Sequence, residues 1–133
     1  MDKQNIDNIL KVLRETYPEA KCALNFGSPY ELLVSTILSA QCTDVRVNKV
    51  TSELYKKYNT PEKMISLTEE ELGEKIKSCG FFRNKSRNIL LTSRELVEKY
   101  GGEVPHTMEQ LLQLPGVGRK TADVVLSNAF GVP

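Results

Sequence analysis

The sequence predicts an all-α protein, a bundle of several helices around one core, and three observations predict it. Apolar residues recur at three- and four-residue spacing along most of the chain, which gathers them on one face of a helix with 3.6 residues per turn. Serine and threonine stand where several of these stripes begin, placed to cap a helix start, and glycine or proline stands where others end. No segment sustains the apolar–polar alternation of a strand.

The elements follow in order. Ile6, Ile9, Leu10, Leu13 and Tyr17 form a first stripe, closed by Pro18. Ser28 is an N-cap with Pro29 at the first helical position, and Glu31 completes a capping box. The helix that follows (Tyr30, Leu32, Leu33, Val34, Ile37, Leu38, Ala40) is apolar on most sides and belongs in the middle of the fold. Thr43 caps a helix with the stripe Val47, Val50, Leu54 and Tyr58, and Thr60-Pro61 opens a short one containing Met64 and Ile65. Thr68 and Glu71 form a second capping box ahead of Leu72 and Ile76, with a stop at Gly80. A longer helix runs from about Arg83 to Tyr100 with Ile89, Leu90, Leu96 and Val97 inward, ended by Gly101-Gly102. Thr107 and Gln110 make a third box, before Leu111 and Leu112.

Bulk properties narrow the class. The 133 residues, 40% hydrophobic and 26% charged, make one domain with a real core. No apolar run is long enough to span a bilayer, and Met1 to Asn5 lack the basic flank and apolar stretch of a signal peptide, so a cytoplasmic protein without membrane contact is expected. Cys22, Cys42 and Cys79 are odd in number and far apart, and His106 is alone, so no disulfide framework or metal site is expected. The net charge of +1 leaves nucleic-acid binding to local clusters. Lys77, Arg83, Lys85 and Arg87 form one cluster, which taken by itself reads as a solvated helix face; Arg119 and Lys120 form another.

Residues 112–125 carry the chemistry. Leu112 and Leu114 lead into Pro115-Gly116-Val117-Gly118, and a new helix begins near Arg119. Pro115 stops the first helix, and Gly116 and Gly118 permit positive φ and close backbone approach. Amides at the new helix start form an anion site suited to a DNA phosphate, gripped without reading sequence. Ala122, Val125, Leu126 and Ala129 share the core face, which turns Lys120 outward in the first turn. The positive dipole end and Arg119 both disfavour an ammonium there, and a lysine that sheds its proton is a nucleophile. Position alone leaves two roles open for Lys120, nucleophile or phosphate partner.

The pattern apolar-x-apolar-Gly-apolar-Gly with a small residue following (Leu112, Leu114, Gly116, Val117, Gly118, Ala122) resembles the helix-hairpin-helix motif. Leu-Pro-Gly-Val-Gly-Arg-Lys-Thr-Ala from Leu114 to Ala122 is similar to the signature of the endonuclease III family of DNA glycosylases/AP lyases. Ser39-Ala40-Gln41-Cys42-Thr43-Asp44 with Val47-Asn48-Lys49, Gly80-Phe81-Phe82 with Lys85 and Asn88, and Gly102-Glu103-Val104-Pro105 extend the resemblance over essentially the whole chain.

The resemblance implies a multi-helix orthogonal bundle, the six-helix barrel domain, over 22–133 with the hairpin at 107–130, and a helix over 1–21 that packs on a separate cluster domain. It implies base-excision repair of oxidised pyrimidines in double-stranded DNA with damaged or abasic sites. Lys120 matches the catalytic lysine that attacks C1′, expels the base as a Schiff base forms, and leads to strand cleavage by elimination. Gln41 matches the residue that fills the space left by the flipped base, and Phe81 the wedge opposite. Gly116, Val117, Gly118 and Arg119 match the phosphate-holding hairpin. The family continues past the equivalent of Pro133 with Val-Asp-Thr-His, whose aspartate assists the lysine, and then with four cysteines that bind a [4Fe–4S] cluster. The chain therefore reads as the N-terminal part of a longer enzyme, impaired by itself, with no cofactor of its own, cluster ligands beyond Pro133, and no obligate protein partner. Rival readings are a non-catalytic helix-hairpin-helix DNA clamp, a monofunctional adenine glycosylase, which Lys120 disfavours, and a helical adaptor, which leaves the Gly-Val-Gly turn unexplained.

Overall fold

A computed structural model describes residues 23–131, so the helix expected over 1–21 and Cys22 lie outside the described residues. The described residues hold seven α-helices and one 3-10 turn, and no strand: α1 (Pro29–Leu38), α2 (Asp44–Leu54), α3 (Pro61–Met64), α4 (Glu69–Ile76), the 3-10 turn Lys77–Cys79, α5 (Phe82–Tyr100), α6 (Met108–Leu112) and α7 (Arg119–Ala129). None of these helices is long and apolar enough to cross a membrane.

Capping sets most of the helix starts. The hydroxyls of Ser28, Thr43, Thr60, Thr68 and Thr107 each accept from the amide three residues on. Only Thr68 and Glu71 complete the reciprocal box, with the Glu71 carboxylate accepting the Thr68 amide at 2.9 Å. The two other expected boxes differ. The Glu31 carboxylate reaches one residue further back, to the Gly27 amide at 2.7 Å, and the Gln110 carbonyl oxygen takes the Thr107 hydroxyl at 3.1 Å.

The core is organised around α1. Eight of its residues, from Tyr30 and from Leu32 through Leu38, are buried, as its all-round apolar sequence requires. It packs on α2, α5 and α7, while α5 also covers α3 and α4, and α6 pairs with α7. Gly73 lets α4 approach α5 closely, since a Cβ there would stand 3.2 Å from the Phe82 ring. The buried polar groups are paired: Tyr30 with Ser93, and Tyr55 with both Ser35 and the Glu31 carbonyl. Burial pushes both tyrosine hydroxyls well above their ordinary range. At the far end of α5, Gly101 adopts φ +64° and the Gly102 amide returns to the Leu96 carbonyl at 2.8 Å, stopping the helix where its sequence predicts.

Candidate nucleic-acid interface

The hairpin between α6 and α7 is pinned from below by Leu111, Leu114, Val117, Ala122, Val125 and Leu126, all buried. Leu112, an apolar position of the expected pattern, is 40% exposed instead, because Leu111 and Leu114 take the inward places. The Leu114 and Val117 amides donate back to the Leu111 and Leu114 carbonyls, closing the turn.

The two glycines do different work. Gly116 has φ +77°, and a Cβ there would lie 2.8 Å from the Asn88 Cβ. Gly118 does not take the positive φ its sequence context suggests: it is extended at φ −98° and ψ −175°, with nothing within 4 Å of a notional Cβ. Its lack of a side chain leaves open space in front of the turn rather than relieving strain. Val117 turns its side chain into the core and uses its amide within the turn, so it contributes packing.

No side chain caps α7, which leaves its first amides and positive end facing outward. Arg119 and Lys120 stand there exposed, and neither makes an ion pair with a described residue. The turn is fastened to α5 by the Thr92 hydroxyl, which donates to the Pro115 carbonyl at 2.5 Å, and by Asn88 against Gly116.

Two further loops bear the other predicted site residues. Among the described residues, Gln41 at φ +55° and Phe81 at φ +48° are the only non-glycines in the left-handed region. Such conformations are disfavoured for side-chain-bearing residues by about 1–2 kcal/mol and concentrate at functional sites. Gln41 is exposed and Phe81 is 65% exposed. Phe81 also occupies the N-cap of α5 without supplying a capping bond.

The first basic cluster is corrected by the structure. Arg83 lies over the Phe82 ring at 5.5 Å, Lys77 lies 4.0 Å from Glu74, and Arg87 is exposed. Lys85, expected on a solvated face, is only 5% exposed, and its ammonium donates to the carbonyls of Leu38 at 2.9 Å and Cys79 at 3.0 Å. Burial lowers its pKa, opposed by the neighbouring Cys42 and Cys79 thiols. The signal was present in the sequence: Lys85, Ile89, Thr92 and Leu96 fall on one helical stripe, and all four are buried.

Cys42 and Cys79 are free thiols beside each other. Burial, with Cys42 alongside, pushes the Cys79 thiol up to about 11. Among the described residues no three His, Cys, Asp or Glu side chains are grouped to hold a metal. The three cysteines of the sequence also fall short of the four thiolates of a [4Fe–4S] cluster, so the residues present do not fit that group.

Known proteins resemble this chain over its whole length. Residues 34–130 match the HhH-GPD superfamily base excision DNA repair protein family. The chain is 52% identical to endonuclease III of Synechocystis sp. over 130 residues, covering 98% of this chain and 59% of that protein. It is 48% identical to endonuclease III of Bacillus subtilis over 133 residues, covering all of this chain and 61% of that protein. The chain thus spans about 60% of the length of these relatives. The solved structure of a non-covalent endonuclease III–DNA complex superposes with a TM-score of 0.84 at 50% identity, covering 100% of this chain and 62% of that one.

Proposed function

From the premise that the chain belongs to the HhH-GPD superfamily of base excision DNA repair proteins, we propose that it forms the DNA-gripping and lysine-bearing part of a DNA N-glycosylase with AP lyase activity on oxidised pyrimidines. The observation that carries this reading is Lys120, an exposed lysine in the first turn of an uncapped helix, directly after an open glycine turn.

The hairpin binds a phosphate of double-stranded DNA through the outward amides of α7 and Arg119, and Gly118 leaves room for close approach. Gln41 and Phe81 enter the duplex where a damaged base has been turned out, the amide replacing lost base-edge hydrogen bonds and the ring replacing lost stacking. The Lys120 amine then bonds to C1′ of the flipped nucleotide. The bond from C1′ to the base breaks and the base leaves with its electron pair, taking one amine proton; the C1′–O4′ bond then breaks, O4′ keeps that electron pair and takes the other amine proton, and C1′ is left joined to Lys120 as an imine. Removal of a C2′ proton from that imine expels the 3′ oxygen with its electron pair and cuts the strand. The amine must be uncharged to attack. We place the protein in the cytoplasm with its DNA, and the [4Fe–4S] cluster implied by the resemblance on residues beyond Pro133.

Borohydride trapping on duplex DNA with one abasic site tests the assignment. The wild-type chain should form a reduced covalent adduct and Lys120→Arg should form none, because a guanidinium cannot supply the nucleophilic amine. Wild-type binding without an adduct would mean that the chain only clamps DNA or that the amine needs the remaining part of the enzyme, which the same trap on the full-length enzyme separates; an adduct persisting in Lys120→Arg would assign the nucleophile to another residue.

A further inference from the structure

Lys85 is used by none of the steps above, yet it is the one charged side chain that is buried among the described residues. We infer that Lys85 is a positioning residue: its buried ammonium bolts the loop carrying Gln41 to the loop carrying Phe81 and thereby sets how both enter the duplex. The inference rests on the DNA-recognition reading above.

The geometry is specific. Leu38 is the last residue of α1, three before Gln41, and Cys79 ends the 3-10 turn, two before Phe81. Their carbonyls are the kind that helix ends leave without intrahelical partners. Neither receives a backbone amide from a described residue, and both accept from Lys85 Nζ. A cation at these two ends also opposes their negative dipole ends. Each loop then turns through one left-handed residue, Gln41 at φ +55° and Phe81 at φ +48°. Left-handed non-glycines persist only where their surroundings over-determine the backbone. Lys85 anchors both loops just upstream of that strain. A second observation agrees: the Cys42 thiol, next to Gln41, meets the Cys79 thiol at the same junction.

A residue that served stability alone would affect binding to every duplex alike. A positioning residue affects the preference for a duplex in which space is open for Gln41 and Phe81. The full 133-residue chain and Lys85→Met are therefore titrated against two labelled duplexes, one undamaged and one containing a stable tetrahydrofuran abasic analogue. Methionine keeps an unbranched stem but donates nothing. Both duplexes are titrated with one sample, so a reduced folded fraction scales both affinities equally and cancels in their ratio.

The wild type should prefer the abasic duplex. Lys85→Met should lose that preference by about tenfold, the equivalent of one charge-assisted hydrogen bond. Its affinity for undamaged duplex, and the salt dependence of that affinity, should stay within about twofold, since a buried lysine touches no phosphate. Should Lys85→Met yield no folded protein, Lys85→Arg serves. Its larger head spreads the two carbonyls, so the preference should fall by roughly threefold. Full preference in a folded variant at position 85 overturns the role of Lys85 alone. A wild type without any abasic preference overturns the DNA-recognition reading, and this inference with it.

Discussion

Gly116→Ala and Gly118→Ala, two substitutions of one chemical kind in one turn, should act on different properties. At position 116 an alanine must hold φ +77° and place its Cβ 2.8 Å from the Asn88 Cβ and 3.0 Å from its Cγ and Nδ2. The left-handed backbone costs about 1–2 kcal/mol and the overlap about 1–3 kcal/mol, so about 2–5 kcal/mol of stability should be lost. For a chain of this size that corresponds to a fall of roughly 10 °C in Tm. At position 118 the backbone is extended and the Cβ position is empty. Alanine there should leave folding unchanged or stabilise it by up to about 1 kcal/mol, by restricting the unfolded chain. On the proposed function the same methyl stands where a phosphate approaches the first amides of α7, so DNA affinity should fall while stability does not. Thermal and urea unfolding followed by circular dichroism, with fluorescence anisotropy on an undamaged duplex, measures both properties. The double variant Gly116→Ala/Asn88→Ala should recover only part of the loss, because the Cβ of residue 88 remains at 2.8 Å. Equal stability of the two single variants, within about 0.5 kcal/mol, would refute the division of labour between the glycines.

Two further outcomes follow from strain and ionisation. Phe81→Gly should raise stability by about 1 kcal/mol by relieving a left-handed phenylalanine whose ring is already 65% exposed, while abolishing discrimination of abasic from undamaged duplex; a loss of stability would mean that the ring packs more than its exposure shows. The Cys79 thiol is raised from 9.0 to about 11 in the fold, so the unfolded chain releases that proton first and the stability it contributes should be lost as pH rises across that interval, by about 3 kcal/mol in total. Cys79→Ala should flatten urea-derived stability between those pH values, and an unchanged slope would assign the alkaline loss to Tyr30 and Tyr55, whose raised hydroxyls act in the same direction from about pH 10 upward.

Features that depend on neighbours within a few residues were legible in the sequence. Ser28, Thr43, Thr60, Thr68 and Thr107 cap the helices they announce, since a cap needs only a hydroxyl and an amide three residues away. The all-round apolar segment from Tyr30 to Leu38 became the central helix for a similarly local reason. What distant contacts decide was less legible. Lys85 shares the helical stripe of Ile89, Thr92 and Leu96, but the arrival of two carbonyls from other elements, which makes its burial tolerable, is not written in that spacing. Glu31 has the spacing of a capping box, but the Gly27 amide competes successfully for its carboxylate. Gly118 shares a Gly-x-Gly pattern with Gly116 yet has ordinary backbone angles, because residue spacing does not specify φ. The left-handed turns at Gln41 and Phe81 carry no local signal, since neither glutamine nor phenylalanine favours them.

The fastening of the hairpin to α5 has a mechanical consequence. The turn is held on its inner side by the Thr92 hydroxyl at Pro115 and by Asn88 against Gly116, both on one nineteen-residue helix. It behaves as an anvil rather than a jaw. On the reading proposed above, the compliant body in the encounter is the duplex, and the work of bending falls on it. A site where stacking is already weakened yields at lower energy than an intact one. On that reading a stiff clamp sorts DNA by its local softness before any base is inspected.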